Sequence, residues 1–189
     1  MHENDEVIKF IELLSENKLS ESEVLQQADK FFNENHQELD TEFAKKIMRN
    51  SIGNNFHLIE EYAYKGSGAA QLALGALKLE GKGMLQNISE AIFWLKRSMN
   101  SNNPKAGTLL YSIYANGNSV KKNMAKARFF LKHSADLGVS KAQYYYACML
   151  IDGEGGPTDE KTAIEYMYFA AQSNYVDAIE FLVENGFIK

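Results

Sequence analysis

The chain has 189 residues, of which 45% are hydrophobic and 24% charged, a composition typical of a globular protein. Its formal net charge of −5 at pH 7 argues against a nucleic-acid partner held through its phosphates. The single cysteine, Cys148, excludes an internal disulfide. The acidic N-terminus argues against a signal peptide, and the absence of a long apolar run argues against a membrane span. We therefore expect a cytoplasmic protein.

The first 69 residues predict helices that precede a regular array. Apolar residues recur at helical spacing between residues 7 and 14, and Ser20 with Glu23 gives the capping-box pattern at the start of a second helix. We predict an N-terminal helical cap over residues 1–36, because an array of repeats needs an atypical end to cover its apolar face. A helix that begins near Asp40 and another over about 54–65 predict a degenerate repeat within residues 37–69.

From residue 70 onward the sequence repeats itself every 36 residues. The recurring positions hold an alanine, a glycine, an asparagine or aspartate, a second alanine and an aromatic residue. They are Ala70, Ala106, Ala142 and Ala178; Gly81, Gly117 and Gly153; Asn87, Asn123 and Asp159; Ala91, Ala127 and Ala163; and Trp94, Phe130 and Tyr166. A fixed period of this length is typical of a solenoid.

Each repeat predicts two helices. The first carries apolar residues at helical spacing between residues 70 and 79, and Gly81 ends it in a left-handed conformation. Asn87 predicts the N-cap of the second helix, and Glu90 three residues later adds the capping-box pattern. Small residues such as Gly75 let neighbouring helices approach closely, while the aromatic residue fills the remaining space. Residues 177–185 predict the first helix of a fourth repeat, which has no second helix, and Gly186 ends it.

These repeats resemble the Sel-one-like repeat family, which is related to the tetratricopeptide repeat. The second copy carries the family pattern most fully, with Ala106, Leu110, Tyr114, Gly117, Val120, Asn123, Lys126, Ala127, Phe130, Ala135, Gly138 and Ala142. Tyr111 and Ala147 depart from it, since they replace a mid-helix glycine. The resemblance implies an all-α, right-handed α/α superhelical solenoid of about three full repeats. Residues 70–189 then hold the repeats and a C-terminal capping helix, and the whole chain forms one continuous domain.

Patterns for catalysis and for metal binding are missing from the sequence. The four histidines lack the i, i+4 spacing of a helical metal site, and Cys148 has no visible base beside it. The glycine-rich segments 81–83 and 153–156 follow helices rather than strands, and neither ends in the Gly-Lys-Ser or Gly-Lys-Thr of a phosphate-binding loop, so helix stops explain them better. The carboxylates between residues 152 and 160 lack calcium-loop spacing. We therefore predict no enzyme, no catalytic residue, no metal and no cofactor.

A candidate binding face follows from the resemblance, because the first helices of tetratricopeptide-like arrays line the concave side. The residues that this geometry selects are Leu72, Glu80, Thr108, Ser112, Asn116, Tyr144, Cys148, Asp152, Glu180 and Glu184, with Asp177 beside them. Three consecutive tyrosines begin at Tyr144 and point about 100° apart on a helix, so at least one faces outward as a binding anchor. Tyr145 is the alternative anchor. The competing interpretation is an ordinary surface whose acidic excess gives only solubility.

The resemblance implies a non-catalytic protein–protein interaction module, an adaptor or scaffold. We also expect a monomer that binds no nucleic acid, because of its negative net charge, and no membrane, because it lacks a long apolar run. The partner is another protein, and the acidic strip favours a basic surface on it. The alternative is an immunity or inhibitor protein that neutralises a basic toxin or enzyme through complementary charge and shape.

Overall fold

A computed structural model describes residues 56–188, and within that range the chain forms eight helices and no strand. In chain order they are α1 (Phe56–Lys65), α2 (Gly68–Glu80), α3 (Ile88–Asn100), α4 (Pro104–Asn116), α5 (Met124–Asp136), α6 (Ser140–Asp152), α7 (Glu160–Gln172) and α8 (Val176–Glu184). The predicted all-α fold of repeated helix pairs is confirmed. The predicted cap at 1–36, the helix near Asp40 and most of the degenerate repeat lie outside the described residues.

The chain divides between Asn103 and Pro104 into two compact units. In the first unit α2 packs against α1 and α3. In the second unit α4 pairs with α5 and α6 pairs with α7, while α5 also packs against α6 and α8 packs against α7. Each first helix of a repeat therefore lies against the second helix of the same repeat. None of the helices within residues 56–188 is long and apolar enough to cross a membrane.

Second helices begin at the three predicted caps. The side-chain oxygens of Asn87, Asn123 and Asp159 accept the backbone N–H three residues later, at 3.1, 2.9 and 3.1 Å. The expected capping box at Glu90 takes another form. The backbone N–H of Asn87 donates to the carbonyl oxygen of Lys78 at 2.8 Å, so the Glu90 carboxylate accepts from the Asn87 side-chain amide instead.

First helices end at the predicted glycines. Gly81, Gly117 and Gly153 have φ angles of +74°, +70° and +70°, a left-handed conformation that costs glycine little. The Gly81 N–H donates to the Leu77 carbonyl oxygen at 2.9 Å and closes the last turn of α2. The terminal helix α8 begins one residue before the predicted position, and Gly186 follows it at φ +75°.

Small and aromatic residues set the spacing of the paired helices, as predicted. A Cβ atom on Gly75 would lie 2.8 Å from Cγ of Leu95, which places α2 and α3 in close contact. Trp94 and Phe130 fill the interior and are 4% and 5% exposed. Tyr166, at the same position of the third repeat, is only half-buried, because its hydroxyl donates to the Asp136 carboxylate at the surface.

Candidate functional site

Two of the predicted binding residues lie in the first unit. Leu72 is 1% exposed. Its aliphatic side chain belongs to the apolar interior, so a partner cannot reach it and we leave it out of the candidate surface. Glu80 is partly exposed, but its carboxylate pairs with Lys82 at 3.3 Å. The first unit therefore offers little of the predicted face.

The other eight predicted residues lie in the second unit, on its three first helices. Thr108, Ser112 and Asn116 follow one another at four-residue spacing on α4, Tyr144, Cys148 and Asp152 do so on α6, and Glu180 and Glu184 on α8. Spacing of four residues places each set on one side of its helix. On α4 the polar groups are satisfied locally. Thr108 donates to the Lys105 carbonyl oxygen at 2.7 Å, and Asn116 donates to the Ser112 hydroxyl at 3.2 Å.

An aromatic cluster occupies the N-terminal part of α6 and the start of α8. The ring centroid of Tyr144 lies 5.3 Å from that of Tyr145 and 5.3 Å from that of Tyr175. Tyr146 turns into the core, where its ring meets Tyr166 edge-on at 4.9 Å. Tyr145 is 40% exposed and is the most accessible of the three consecutive tyrosines. The prediction that one faces out and at least one packs is confirmed, and Tyr144 lies between these extremes.

The Asp177 carboxylate lies beside this cluster and contributes to the raised pKa values of two of its phenols. Burial raises the pKa of Tyr144 to about 12, with contributions from Cys148 and the Asp177 carboxylate. Burial also raises the pKa of Tyr175, and Tyr145 and Asp177 add to the rise. Phenols with raised pKa values stay protonated and neutral near pH 7.

Tyr111 of α4 joins the same electrostatic environment. Burial raises the pKa of Tyr111, and Glu154, Tyr145 and Cys148 raise it further. We call this set of eight residues the tyrosine–acid surface. Its members are Tyr111, Tyr144, Tyr145, Cys148, Asp152, Glu154, Tyr175 and Asp177.

The thiol of Cys148 packs within this surface as a neutral group. Burial raises its pKa, the carboxylates of Asp152 and Asp177 raise it further, and Tyr144 opposes the rise. A thiol with a raised pKa carries little thiolate at neutral pH, and the thiolate is the nucleophilic form. The arrangement fits a packing role for Cys148 rather than a catalytic one.

Three carboxylates of the tyrosine–acid surface lack a countercharge. Asp152, Glu154 and Asp177 are exposed, and none of them forms an ion pair with a lysine or arginine in the described part of the chain. The nearby Arg128 instead donates to the carbonyl oxygens of Glu154 at 3.3 Å and Pro157 at 2.8 Å. The surface is therefore aromatic at its centre and negatively charged at its edges.

Metal ligands do not converge anywhere in residues 56–188, where no three histidine, cysteine or carboxylate side chains form a group that could hold an ion. His133 is half-buried on α5, and His57 is exposed on α1. His2 and His36 lie outside the described residues.

Comparison with known families gives one match that repeats three times. The model of the Sel1 repeat matches residues 68–103, 107–139 and 140–175, which together make up more than half of the chain. Each matched segment begins at or near the start of a first helix, and the average distance between their first residues equals the 36-residue period of the sequence.

Among the solved structures that resemble this chain are three bacterial proteins. A Sel1 repeat protein from Oxalobacter formigenes is 28% identical, with a TM-score of 0.63 over 69% of this chain and 98% of its own. A protective antigen present in uropathogenic Escherichia coli strains, which displays an SLR fold, is 21% identical, with a TM-score of 0.63 over 89% of this chain and 37% of its own. Cysteine rich protein B of Helicobacter pylori is 20% identical, with a TM-score of 0.53 over 68% of this chain and 95% of its own. The last two similarities concern the fold alone.

Proposed function

Because the chain belongs to the Sel1 repeat family, whose members generally mediate protein–protein interaction, we propose that it is an adaptor or scaffold that binds a partner protein. The partner docks on the tyrosine–acid surface of the second unit. The family's fold is a repeat scaffold without a shared catalytic centre, so the proposal assigns no reaction to the chain. The concave position of this face, the cytoplasmic location and the monomeric state stay predictions.

One observation carries the proposal, namely that the exposed Tyr145 ring shares a surface with three carboxylates that form no ion pair with a described lysine or arginine. Tyrosine is enriched among residues that dominate binding energy, because its ring buries a large area at a small cost in conformational entropy. Uncompensated carboxylates at the rim of an interface steer an oppositely charged partner and speed association. The exposed Glu180 and Glu184 on α8 extend that negative edge.

Site-specific photocrosslinking tests the position of the binding face. A benzoylphenylalanine is placed at Tyr145 in the full chain, and the matched control carries it at Phe169, which is 50% exposed on α7. We expect irradiation in the native cell extract to give a discrete partner adduct from the Tyr145 position and none from the Phe169 position. Adducts of the same partner from Phe169 alone would place the binding face on the second helices instead.

The uncompensated carboxylates also support the narrower alternative, an immunity or inhibitor protein directed against a basic toxin or enzyme. The two functions differ in their partners. An inhibitor co-purifies with one tightly held protein and abolishes that protein's activity, whereas an adaptor recovers several proteins and leaves their activities intact. Quantitative mass spectrometry of the captured proteins, followed by an activity assay of the main one, separates these cases.

A further inference from the structure

We propose that the tyrosine–acid surface recognises arginine side chains on an extended segment of the partner protein. This inference rests on the proposed function and adds the chemistry of the partner to it. Its occupant is a basic segment, because the three carboxylates of the surface form no ion pair with a described lysine or arginine.

The first argument is the aromatic platform. Tyr144 lies 5.3 Å from both Tyr145 and Tyr175, so three phenol rings are adjacent and one of them is 40% exposed. A guanidinium group binds the face of an aromatic ring when it lies within about 6 Å of the ring centroid. The raised pKa values of Tyr144 and Tyr175 keep these two phenols neutral near pH 7, so their hydroxyl groups add no charge of their own beside a bound cation.

The second argument is the placement of one carboxylate beside the platform and of two more at the far end of α6. Asp177 lies beside Tyr144 and Tyr175, whereas Asp152 and Glu154 lie at the C-terminal end of α6. That end of the helix also carries the negative pole of the macrodipole. A cation over the rings therefore has the Asp177 carboxylate beside it, and a second cation of the same segment can meet Asp152 farther along α6. No described lysine or arginine forms an ion pair with these three carboxylates.

The third argument is spacing. Tyr144 and Asp152 are eight residues apart on α6, which corresponds to roughly 12 Å along a helix. An extended chain rises about 3.3 Å per residue and presents alternate side chains on one side, so residues i and i+4 lie roughly 13 Å apart on the same side. Two arginines four residues apart thus match the distance from the tyrosine platform to the Asp152 end.

Arginine suits this surface better than lysine does. The guanidinium is planar, stacks on aromatic faces and donates two parallel hydrogen bonds to a carboxylate, whereas the ammonium of lysine is a compact and strongly hydrated charge. A surface that offers ring faces and carboxylates side by side uses both properties of the guanidinium.

The test uses the full chain and a synthetic glycine–serine peptide with two arginines four positions apart. Matched peptides carry lysine, citrulline or leucine at the same two places. Peptide binding is measured by fluorescence anisotropy, and tyrosine ring resonances are followed by NMR after assignment with single tyrosine-to-phenylalanine variants. We expect the arginine peptide to bind most tightly and to shift the rings of Tyr144, Tyr145 and Tyr175. Citrulline keeps the shape of arginine without its charge and should bind much more weakly.

Variants locate the binding on the protein. Tyr145→Ala should weaken binding of the arginine peptide about two- to fivefold, the loss expected for one exposed cation–π contact. The double variant Asp152→Asn with Asp177→Asn should weaken it about three- to tenfold, and most strongly at low salt. The matched controls Phe169→Ala and Glu165→Gln remove an exposed aromatic ring and an exposed carboxylate from α7 and should change nothing.

The outcomes separate this inference from the proposed function. Equal binding of the leucine, citrulline or lysine peptides overturns arginine recognition, as do ring shifts confined to tyrosines outside the surface. A concentration-dependent dimer in sedimentation velocity that the peptide does not dissociate also overturns it, because a second copy would then cover the face. A partner crosslinked at Tyr145 together with equal binding of all peptides would retain the proposed function and reject arginine as its basis.

Discussion

Gly107 on α4 provides a stringent test of how the helices of the second unit pack. A Cβ atom there would lie 2.4 Å from Oγ of Ser134 and 2.5 Å from the carbonyl oxygen of Phe130, both on α5. Neither atom moves easily, because the Ser134 hydroxyl donates to the Pro104 carbonyl oxygen at 2.7 Å and the Phe130 carbonyl belongs to the helix backbone. Alanine at Gly107 therefore pushes α4 and α5 apart.

Two opposing effects set the size of the change. Alanine in place of glycine favours a helix by roughly 1 kcal/mol. Overpacking of a well-packed interior costs about 1–3 kcal/mol, and a collision with backbone belongs at the upper end of that range. We therefore expect Gly107→Ala to lower the free energy of unfolding by about 1–2 kcal/mol. Gly75→Ala should cost less, because its closest contacts are the Leu95 side-chain atoms at 2.8 and 2.9 Å, which can rotate.

Urea unfolding followed by far-UV circular dichroism measures both variants against the unsubstituted chain. The single tryptophan, Trp94, lies in the first unit, so its fluorescence reports that unit separately. Gly107→Ala should lower the circular-dichroism midpoint more than Gly75→Ala does. Adding Ser134→Ala relieves only one of the two collisions, so the double variant should stay less stable than Ser134→Ala alone. A Gly107→Ala chain stabilised by roughly 1 kcal/mol, as helix propensity alone requires, would refute the argument.

Three further predictions concern stability. Trp94→Ala should lower the free energy of unfolding by about 3–5 kcal/mol in the same assay, because it empties an interior site. An unchanged unfolding curve would contradict a core position for Trp94. Alanine at any one of the second-helix N-caps, Asn87, Asn123 or Asp159, should lower the free energy of unfolding by roughly 1 kcal/mol. If all three substitutions leave stability unchanged, the assigned caps are wrong. Burial lowers the pKa of His133 in the folded chain. The unfolded chain therefore binds a proton at His133 more readily, and the free energy of unfolding should fall as the pH drops below about 6.5 towards the pKa of the folded state. Melts at pH 7.5 and 5.5 should show a smaller pH effect in His133→Gln, and an equal effect would assign the acid sensitivity to other groups.

Helix boundaries could be predicted from the sequence because their determinants are local. The caps at Asn87 and Asn123 bind backbone groups three residues away in the same helix, and Gly81 ends its helix through its own backbone angle. The 36-residue period then gave the pairing of helices, since each repeat has the same small and aromatic positions. The partner of the Glu90 carboxylate differed from the prediction, because the backbone N–H of Asn87, which the capping box needs, donates to the Lys78 carbonyl oxygen of α2 instead.

The candidate surface was predictable only in part, because it depends on contacts between helices. Helical spacing on α6 selected Tyr144, Cys148 and Asp152 correctly as neighbours. It could not show that Tyr175 reaches Tyr144, since the two residues belong to different helices. Tyr111 was visible only as a departure from the family pattern, where a bulky residue replaces a mid-helix glycine. Leu72 was selected by position alone, although burial removes it from the surface.

A comparison of equivalent positions in the repeats shows which residues are the same in every repeat and which vary. Thr108, Tyr144 and Glu180 occupy the same place on three successive first helices, yet one is a hydroxyl, one an aromatic ring and one a carboxylate. Their neighbours Ala106, Ala142 and Ala178, by contrast, are identical and fully buried, because the packing of paired helices tolerates nothing larger. Residues that packing leaves free to vary are available for selection by a partner. The concentration of rings and carboxylates around α6 is the reason why we propose that binding specificity lies in the second unit.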